Sequence, residues 1–129
     1  MNYQLHDYMI DSVILEENCI IFSFPDGFYA TDDNGHEYVP IRRKLIFHID
    51  SNGYPLESFL EIRRITWPGI WKTITYKQFS TLFKKGNMVI HDEYDSKLTN
   101  WKIIQLNANS NWSNIELRIS DIEDIVCCE

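Results

Sequence analysis

Two short apolar runs near the N-terminus, separated by three polar residues, predict a β-hairpin. The first run ends at Leu15 and the second begins at Cys19, with Glu16-Glu17-Asn18 between them. The second run leads into Pro25-Asp26-Gly27, which is typical of a turn. We therefore predict that the second strand ends there in a sharp exit. We also predict that this hairpin starts the sheet to which later strands add.

Polar interruptions in the first third of the chain predict local irregularities. Asp11 and Ser12 break the first apolar run, which indicates a bulge or an edge position. Asn34-Gly35 favours a tight turn, so we expect a second hairpin that pairs residues 28–30 with residues 38–39. The acidic residues of that loop lack the spacing of a calcium-binding EF-hand loop, and no metal is predicted there.

Alternating apolar residues predict most of the remaining strands. Leu45, Phe47 and Ile49 should share one face of a strand, and Ile115, Leu117 and Ile119 one face of another. The other predicted strands cover residues 59–67, 70–74, 88–94 and 101–106, and residues 122–128 form a last strand or a helical turn.

A single short helix is predicted near residues 76–85. Thr75 is suited to cap its N-terminus, and Gly86 follows at the expected C-terminal position. Apolar residues recur at spacings of three and four, which favours a stripe facing the core. The stripe consists of Tyr76, Phe79, Leu82 and Phe83. The fold class is therefore mainly β, an antiparallel β-sandwich or partly open barrel with one short helix.

The length and the net charge of the chain restrict the classes of function that the sequence supports. A chain of 129 residues with 44% hydrophobic content suits one domain over residues 1–129 and needs no disulfide or metal for stability. A formal net charge of −7 disfavours binding to nucleic acid and to anionic membranes. It suits a basic protein partner, and the alternative is that it serves only the solubility of the protein. No cofactor is predicted.

The termini and cysteines predict a cytoplasmic protein. The first residues lack the basic and apolar regions of a signal peptide, and no apolar run is long enough to span a membrane. Cys19, Cys127 and Cys128 form a poor disulfide framework, which favours reduced thiols. They lack metal and redox spacing, and the pattern predicts that Cys19 occupies a core position.

Histidines and carboxylates at two distant points of the chain form the first candidate site. His6 and Asp7 could meet His91 and Glu93, and together bind a metal or act as acid and base. In a regular strand His91 and Glu93 would share a face, with Asp92 on the other. The alternative is that these are polar residues at strand ends, bound to backbone donors.

An aromatic and basic stretch forms the second candidate site. Arg63, Arg64, Trp67 and Trp71 lie around a Pro-Gly break. Interleaved arginine and tryptophan are enriched at protein-binding hot spots. The alternative is that the tryptophans cover the end of the sheet while the arginines pair with carboxylates.

The opening of the chain resembles small bacterial families, some of which are similar to immunity proteins of polymorphic-toxin systems. The resemblance lies in Leu5-His6-Asp7, Ile10, Val13, the run from Cys19 to Phe24, and Asp26-Gly27. It covers roughly the first 30 residues. It implies a cytoplasmic protein that binds and blocks one toxin, and the acidic charge would suit a basic toxin.

The sequence therefore favours a non-enzymatic protein-binding module of the immunity type. The alternatives are a small metal-dependent or acid/base enzyme that uses His6, Asp7, His91 and Glu93, and a small-ligand-binding β domain with a pocket inside the sheet. Exposed strand edges would also allow a homodimer.

Overall fold

A computed structural model describes residues 2–31, 41–66, 69–96, 100–108 and 114–129. These residues form twelve strands and one α-helix. The first six strands are β1 (Asn2–Tyr3), β2 (Met9–Ile10), β3 (Ser12–Glu16), β4 (Cys19–Phe28), β5 (Ala30–Thr31) and β6 (Arg42–Ile49). The others are β7 (Leu60–Thr66), β8 (Ile70–Ile74), β9 (Met88–Asp95), β10 (Lys102–Ala108), β11 (Asn114–Ile119) and β12 (Ile122–Cys128). Helix α1 (Tyr76–Leu82) continues as a 3₁₀ helix over Phe83–Lys85, and another 3₁₀ helix covers Leu56–Phe59.

The strands form two larger antiparallel sheets. One has six strands in the order β2-β9-β10-β11-β7-β8, and the other has four in the order β12-β6-β4-β3. A short pair, β1 with β5, joins the two ends of the N-terminal segment. Within the described part of the chain neither sheet closes on itself, so the predicted β-sandwich with one short helix is confirmed and the barrel alternative is not adopted.

The core lies between the inner faces of the two larger sheets. Phe22 and Phe47 of the four-stranded sheet pack edge to face, with ring centroids 5.5 Å apart. From the six-stranded sheet, Ile104 and Leu117 are fully buried in the same cluster. The alternation predicted for Leu45, Phe47 and Ile49, and for Ile115, Leu117 and Ile119, is confirmed because all six are buried.

The N-terminal hairpin is confirmed, but its predicted exit is wrong. Strands β3 and β4 pair antiparallel, and Glu17 and Asn18 between them have φ of 47° and 64°, as a tight two-residue turn requires. Strand β4 does not end at Pro25; it runs to Phe28, with a register shift after Ser23. The turn-forming residues therefore make a bulge inside a strand rather than its end.

The polar break at Asp11 marks a change of sheet. Strand β2 ends at Ile10 on one edge of the six-stranded sheet, and β3 begins at Ser12 on one edge of the four-stranded sheet. The predicted edge position is thus confirmed. One residue is enough to carry the chain across the sandwich.

Helix α1 is confirmed with the predicted cap. The Thr75 hydroxyl accepts a hydrogen bond from the Gln78 amide, and the Gln78 side chain accepts one from the Thr75 amide, which completes a capping box. Phe79 is fully buried, and the other three residues of the stripe pack on the core. The hydroxyl of Tyr76 donates to the Val13 carbonyl at 2.7 Å, so the helix also covers part of edge strand β3.

Two further predictions, for residues 122–128 and for the second hairpin, have different outcomes. Residues 122–128 are a strand rather than a helical turn. The predicted partner residues 38–39 of the second hairpin and its Asn34-Gly35 turn lie outside the described residues; on its described side, Ala30 pairs with Tyr3 of β1. No helix in the described ranges is both long enough and apolar enough to cross a bilayer.

Candidate functional site

The outward side of the six-stranded sheet carries two neighbouring clefts, and we refer to it as the outer face. Its side chains alternate with the buried residues of β7, β9, β10 and β11. The first cleft, of about 90 Å³, is lined by Trp71, His91, Gln105, Asn107 and Asn114 together with Leu106 and Ile115. The second, of about 100 Å³, is lined by Glu61, Arg63, Glu116 and Arg118. These volumes are well below the ~300 Å³ at which typical small-molecule pockets begin.

Arg63 and Trp71 contact each other on the outer face. The guanidinium carbon of Arg63 lies 5.2 Å from the centroid of the Trp71 ring, within the range of a cation–π interaction. Trp71 is nevertheless 42% exposed, and its neighbour Ile70 is 59% exposed. Strand β8 is an edge strand with four of its five residues exposed, so this aromatic group stands at the rim of the sandwich.

The other two residues of the predicted aromatic and basic site do not join this contact. Arg64 alternates with Arg63 and shares the inward side of β7 with buried Ile62, where it is half-buried opposite Lys72. Trp67 lies outside the described residues. The arginine and tryptophan that the structure brings together are therefore Arg63 and Trp71.

Opposite charges alternate on the outer face and balance one another. Glu116 lies between Arg63 and Gln105 in the sheet register, and its carboxylate accepts a hydrogen bond from the Arg63 guanidinium. Arg118 pairs across the sheet with Glu61 and stacks over the Trp101 ring at 5.5 Å. The charges of β7 and β11 thus balance one another, while the outer face also carries the negative charge of Asp92 in β9.

A bulge in β9 lies at His91, which is on the outer face, and it places Asp92 on that face as well. Asp92 is opposite Gln105 and Ile90 is opposite Leu106, so His91 is the extra residue between them. Beyond the bulge, Glu93 is opposite buried Ile104 and faces inward. The prediction that His91 and Glu93 share a face is wrong, because it assumed a regular strand.

His6 and Asp7 do meet His91, through the backbone of β9. The Nδ1 of His6 donates to the His91 carbonyl at 2.5 Å, and the two rings are 6.1 Å apart between centroids. The Nε2 of His6 lies 3.3 Å from the Asp7 carboxylate. Because His6 and Asp7 are exposed and contact each other in the turn between β1 and β2, they form a surface pair rather than a group converging in a cleft.

Glu93 has a structural role inside the sandwich. Its Oε1 accepts the Leu5 amide at 3.1 Å, and its Oε2 lies 2.8 Å from the Lys102 ammonium. Both partners are buried. The four residues proposed for metal or acid/base chemistry are therefore divided between the surface and the interior, and within the described residues no three histidine, cysteine or acidic side chains are assembled to hold a metal ion.

Sequence reasoning missed the amide side chains of the first cleft and misplaced one cysteine. Gln105, Asn107 and Asn114 line the same cleft as Trp71 and His91, and only the pairing of β10 with β9 and β11 brings them there. Cys19, expected in the core, is half-buried on the outward side of β4. The alternation with buried Ile20 was the signal that would have placed it correctly.

Comparison with known proteins finds no matching family model, no matching curated protein and no matching solved structure.

Proposed function

We propose that this protein is a non-enzymatic protein-binding module that contacts its partner through the outer face of the six-stranded sheet. The observation that supports this most directly is the pairing of Arg63 with a 42% exposed Trp71 on an edge strand. Tryptophan and arginine are the residues most enriched among binding hot spots. Half-buried Ile65, which is opposite Trp71 in the sheet register, extends the apolar surface beside them.

The partner is proposed to be a bacterial toxin, which makes the protein an immunity-type inhibitor. This finer proposal rests on the resemblance of the first 30 residues and on the net charge of −7, which would speed association with a basic toxin. The paired charges of β7 and β11 on the outer face fit the same scheme. Long-range attraction then comes from the rest of the surface, and the outer face supplies the close contacts.

The enzyme alternative receives less support from the same geometry. An acid/base site needs its titratable groups in one cleft, whereas Glu93 faces the core and His6 is held by the His91 carbonyl.

A native pull-down from the source cells, with captured proteins identified by mass spectrometry, tests the proposal. We expect one partner in stoichiometric amounts with the wild-type protein. Trp71→Ala should reduce its recovery by tenfold or more, the loss that about 1.4 kcal/mol produces. Tyr54→Ala is the matched control, since Tyr54 is 69% exposed but lies in the turn before the 3₁₀ helix over Leu56–Phe59 and not on a strand of the outer face. Equal recovery with Trp71→Ala would show that the partner binds elsewhere.

A further inference from the structure

Four polar residues form one row across the outward side of the four-stranded sheet. In the register of the strands, Glu16 is opposite Cys19, Cys19 is opposite His48, and His48 is opposite Asp124. The row thus takes one residue from each of β3, β4, β6 and β12. It lies on the far side of the sandwich from the outer face, so a site in this row is independent of the proposed function.

The two central residues present their donor atoms to each other. The Sγ of Cys19 is 3.3 Å from the Nδ1 of His48. A tetrahedral zinc ion with a Zn–S bond of about 2.3 Å and a Zn–N bond of about 2.05 Å holds these atoms roughly 3.5 Å apart. The observed separation therefore needs an adjustment of only a few tenths of an ångström.

The backbone beneath this pair is firmly held. Cys19 and His48 lie on the two central strands of the sheet, and the next pair in register, Ile20 with Phe47, is fully buried in the core. Both side chains are half-buried and remain open to solvent on the outward side. A site built on such strands needs little reorganisation of its two central donors.

Carboxylates stand at both ends of the pair. Glu16 and Asp124 are exposed, so their side chains have room to rotate toward the centre of the row. Burial, and then the charges of Glu17 and Glu16, raise the pKa of the Cys19 thiol. The same negative charges would attract a cation, and a bound dication would reverse their effect on the thiol.

We propose that Cys19 and His48 bind a zinc-class divalent cation, with Glu16 or Asp124 as the third protein ligand and water as the fourth. Thiolate, imidazole and carboxylate are the ligands that zinc prefers. The described residues hold no three such ligands already in place, so the carboxylate must rotate in as the ion binds. The thiol proton is released to solvent on binding. A position occupied by water makes this an open site rather than a closed structural one.

Titration of the full-length protein with Co²⁺ under reducing conditions tests the site. Cobalt bound to a thiolate gives a charge-transfer absorption band, so we expect a band that saturates at one Co²⁺ per chain and is displaced by Zn²⁺. Cys19→Ser should abolish the band. His48→Gln, and the double variant Glu16→Gln/Asp124→Asn, should each weaken Co²⁺ binding by on the order of tenfold or more.

The adjacent cysteines at the C-terminus supply the control. Cys127→Ala/Cys128→Ser should keep the full band, because neither residue belongs to the row. A band that survives Cys19→Ser, or that disappears with the control variant, would place the metal at the C-terminal cysteines and overturn the proposal. Absence of any band at millimolar Co²⁺ in folded wild-type protein would overturn it as well. Circular dichroism of each variant shows that it is folded.

Discussion

The ammonium group of Lys102 lies 2.8 Å from the Glu93 carboxylate, although Lys102 is only 4% exposed. The same ammonium is 3.2 Å from the carboxylate of Asp95, and the second oxygen of Glu93 accepts the Leu5 amide. Strands β9 and β10 and the N-terminal segment therefore meet at one cluster of charged side chains. A buried charge is tolerated here because it has partners of opposite sign.

Removing the cation should be strongly destabilising. We expect Lys102→Ala to lower the free energy of unfolding by about 3 kcal/mol, because Glu93 is left largely buried without its counter-ion. Urea denaturation measures this. Lys85→Ala, at an exposed lysine, is the control and should change stability by less than about 0.5 kcal/mol. The double variant Glu93→Gln/Lys102→Met should recover part of the lost free energy of unfolding, because it removes both charges. If the losses from changing Glu93 and Lys102 separately simply add up in the double variant, the two side chains do not form a stabilising ion pair.

The bulge in β4 depends on Gly27. This residue has φ of 75°, and a Cβ atom built on it would lie 1.9 Å from the Cγ2 of Ile41. Gly27→Ala therefore combines a left-handed backbone with a steric clash, and we expect a loss of about 3 kcal/mol or more in urea denaturation.

Gly53→Ala separates the effect of the left-handed backbone from the effect of the steric clash. Gly53 has φ of 81°, close to that of Gly27, but a Cβ atom at this position would have no neighbouring atom within 4 Å. Its substitution should cost only about 1 kcal/mol, the value for an alanine in left-handed backbone. If both variants lose the same stability, the contact with Ile41 does not restrict Gly27.

Periodic alternation was sufficient to predict most of the strands, but it could not reveal where the alternation breaks. The runs around Phe47 and Leu117 are regular, and their inward and outward faces were predicted correctly. At His91 a single extra residue reverses the faces of everything that follows in β9. The residues around it contain no glycine or proline to signal the bulge, so Glu93 was assigned to the wrong side.

The candidate site depends even more on non-local pairing. Trp71 and His91 were assigned to separate sites because nineteen residues lie between them in the chain. Their strands are separated in the sheet by β10, β11 and β7, and the cleft that they both line lies across these strands. Nothing local to either residue encodes that strand order. The helix was predictable for the opposite reason, since Thr75 and Gln78 form its cap within one turn.

The hydrogen bond from Tyr76 to the Val13 carbonyl should contribute to stability. Tyr76→Phe removes only the hydroxyl, and we expect a loss of about 1 kcal/mol in urea denaturation. Tyr54→Phe, at an exposed tyrosine, is the control and should have no measurable effect. Hydrogen exchange of the β3 amides should quicken in Tyr76→Phe, because the helix then covers that edge less firmly. Unchanged exchange and stability would show that the hydroxyl bonds equally well to water.

Buried Cys127 should make the protein less stable at alkaline pH. Burial is the main cause that raises the pKa of this thiol above its ordinary value of 9.0. The folded state therefore holds the proton more tightly than the unfolded state. The stabilisation is complete below pH 9.0 and is lost as the pH rises through the folded-state value.

Cys127→Ala tests this pH dependence. Its free energy of unfolding, measured by urea denaturation across the alkaline range, should fall less steeply above about pH 9 than that of the wild type. The variant also loses some packing at every pH, so the slope and not the absolute value carries the prediction. Parallel curves for the wild type and Cys127→Ala would mean that the Cys127 thiol ionises as readily in the folded protein as in the unfolded chain.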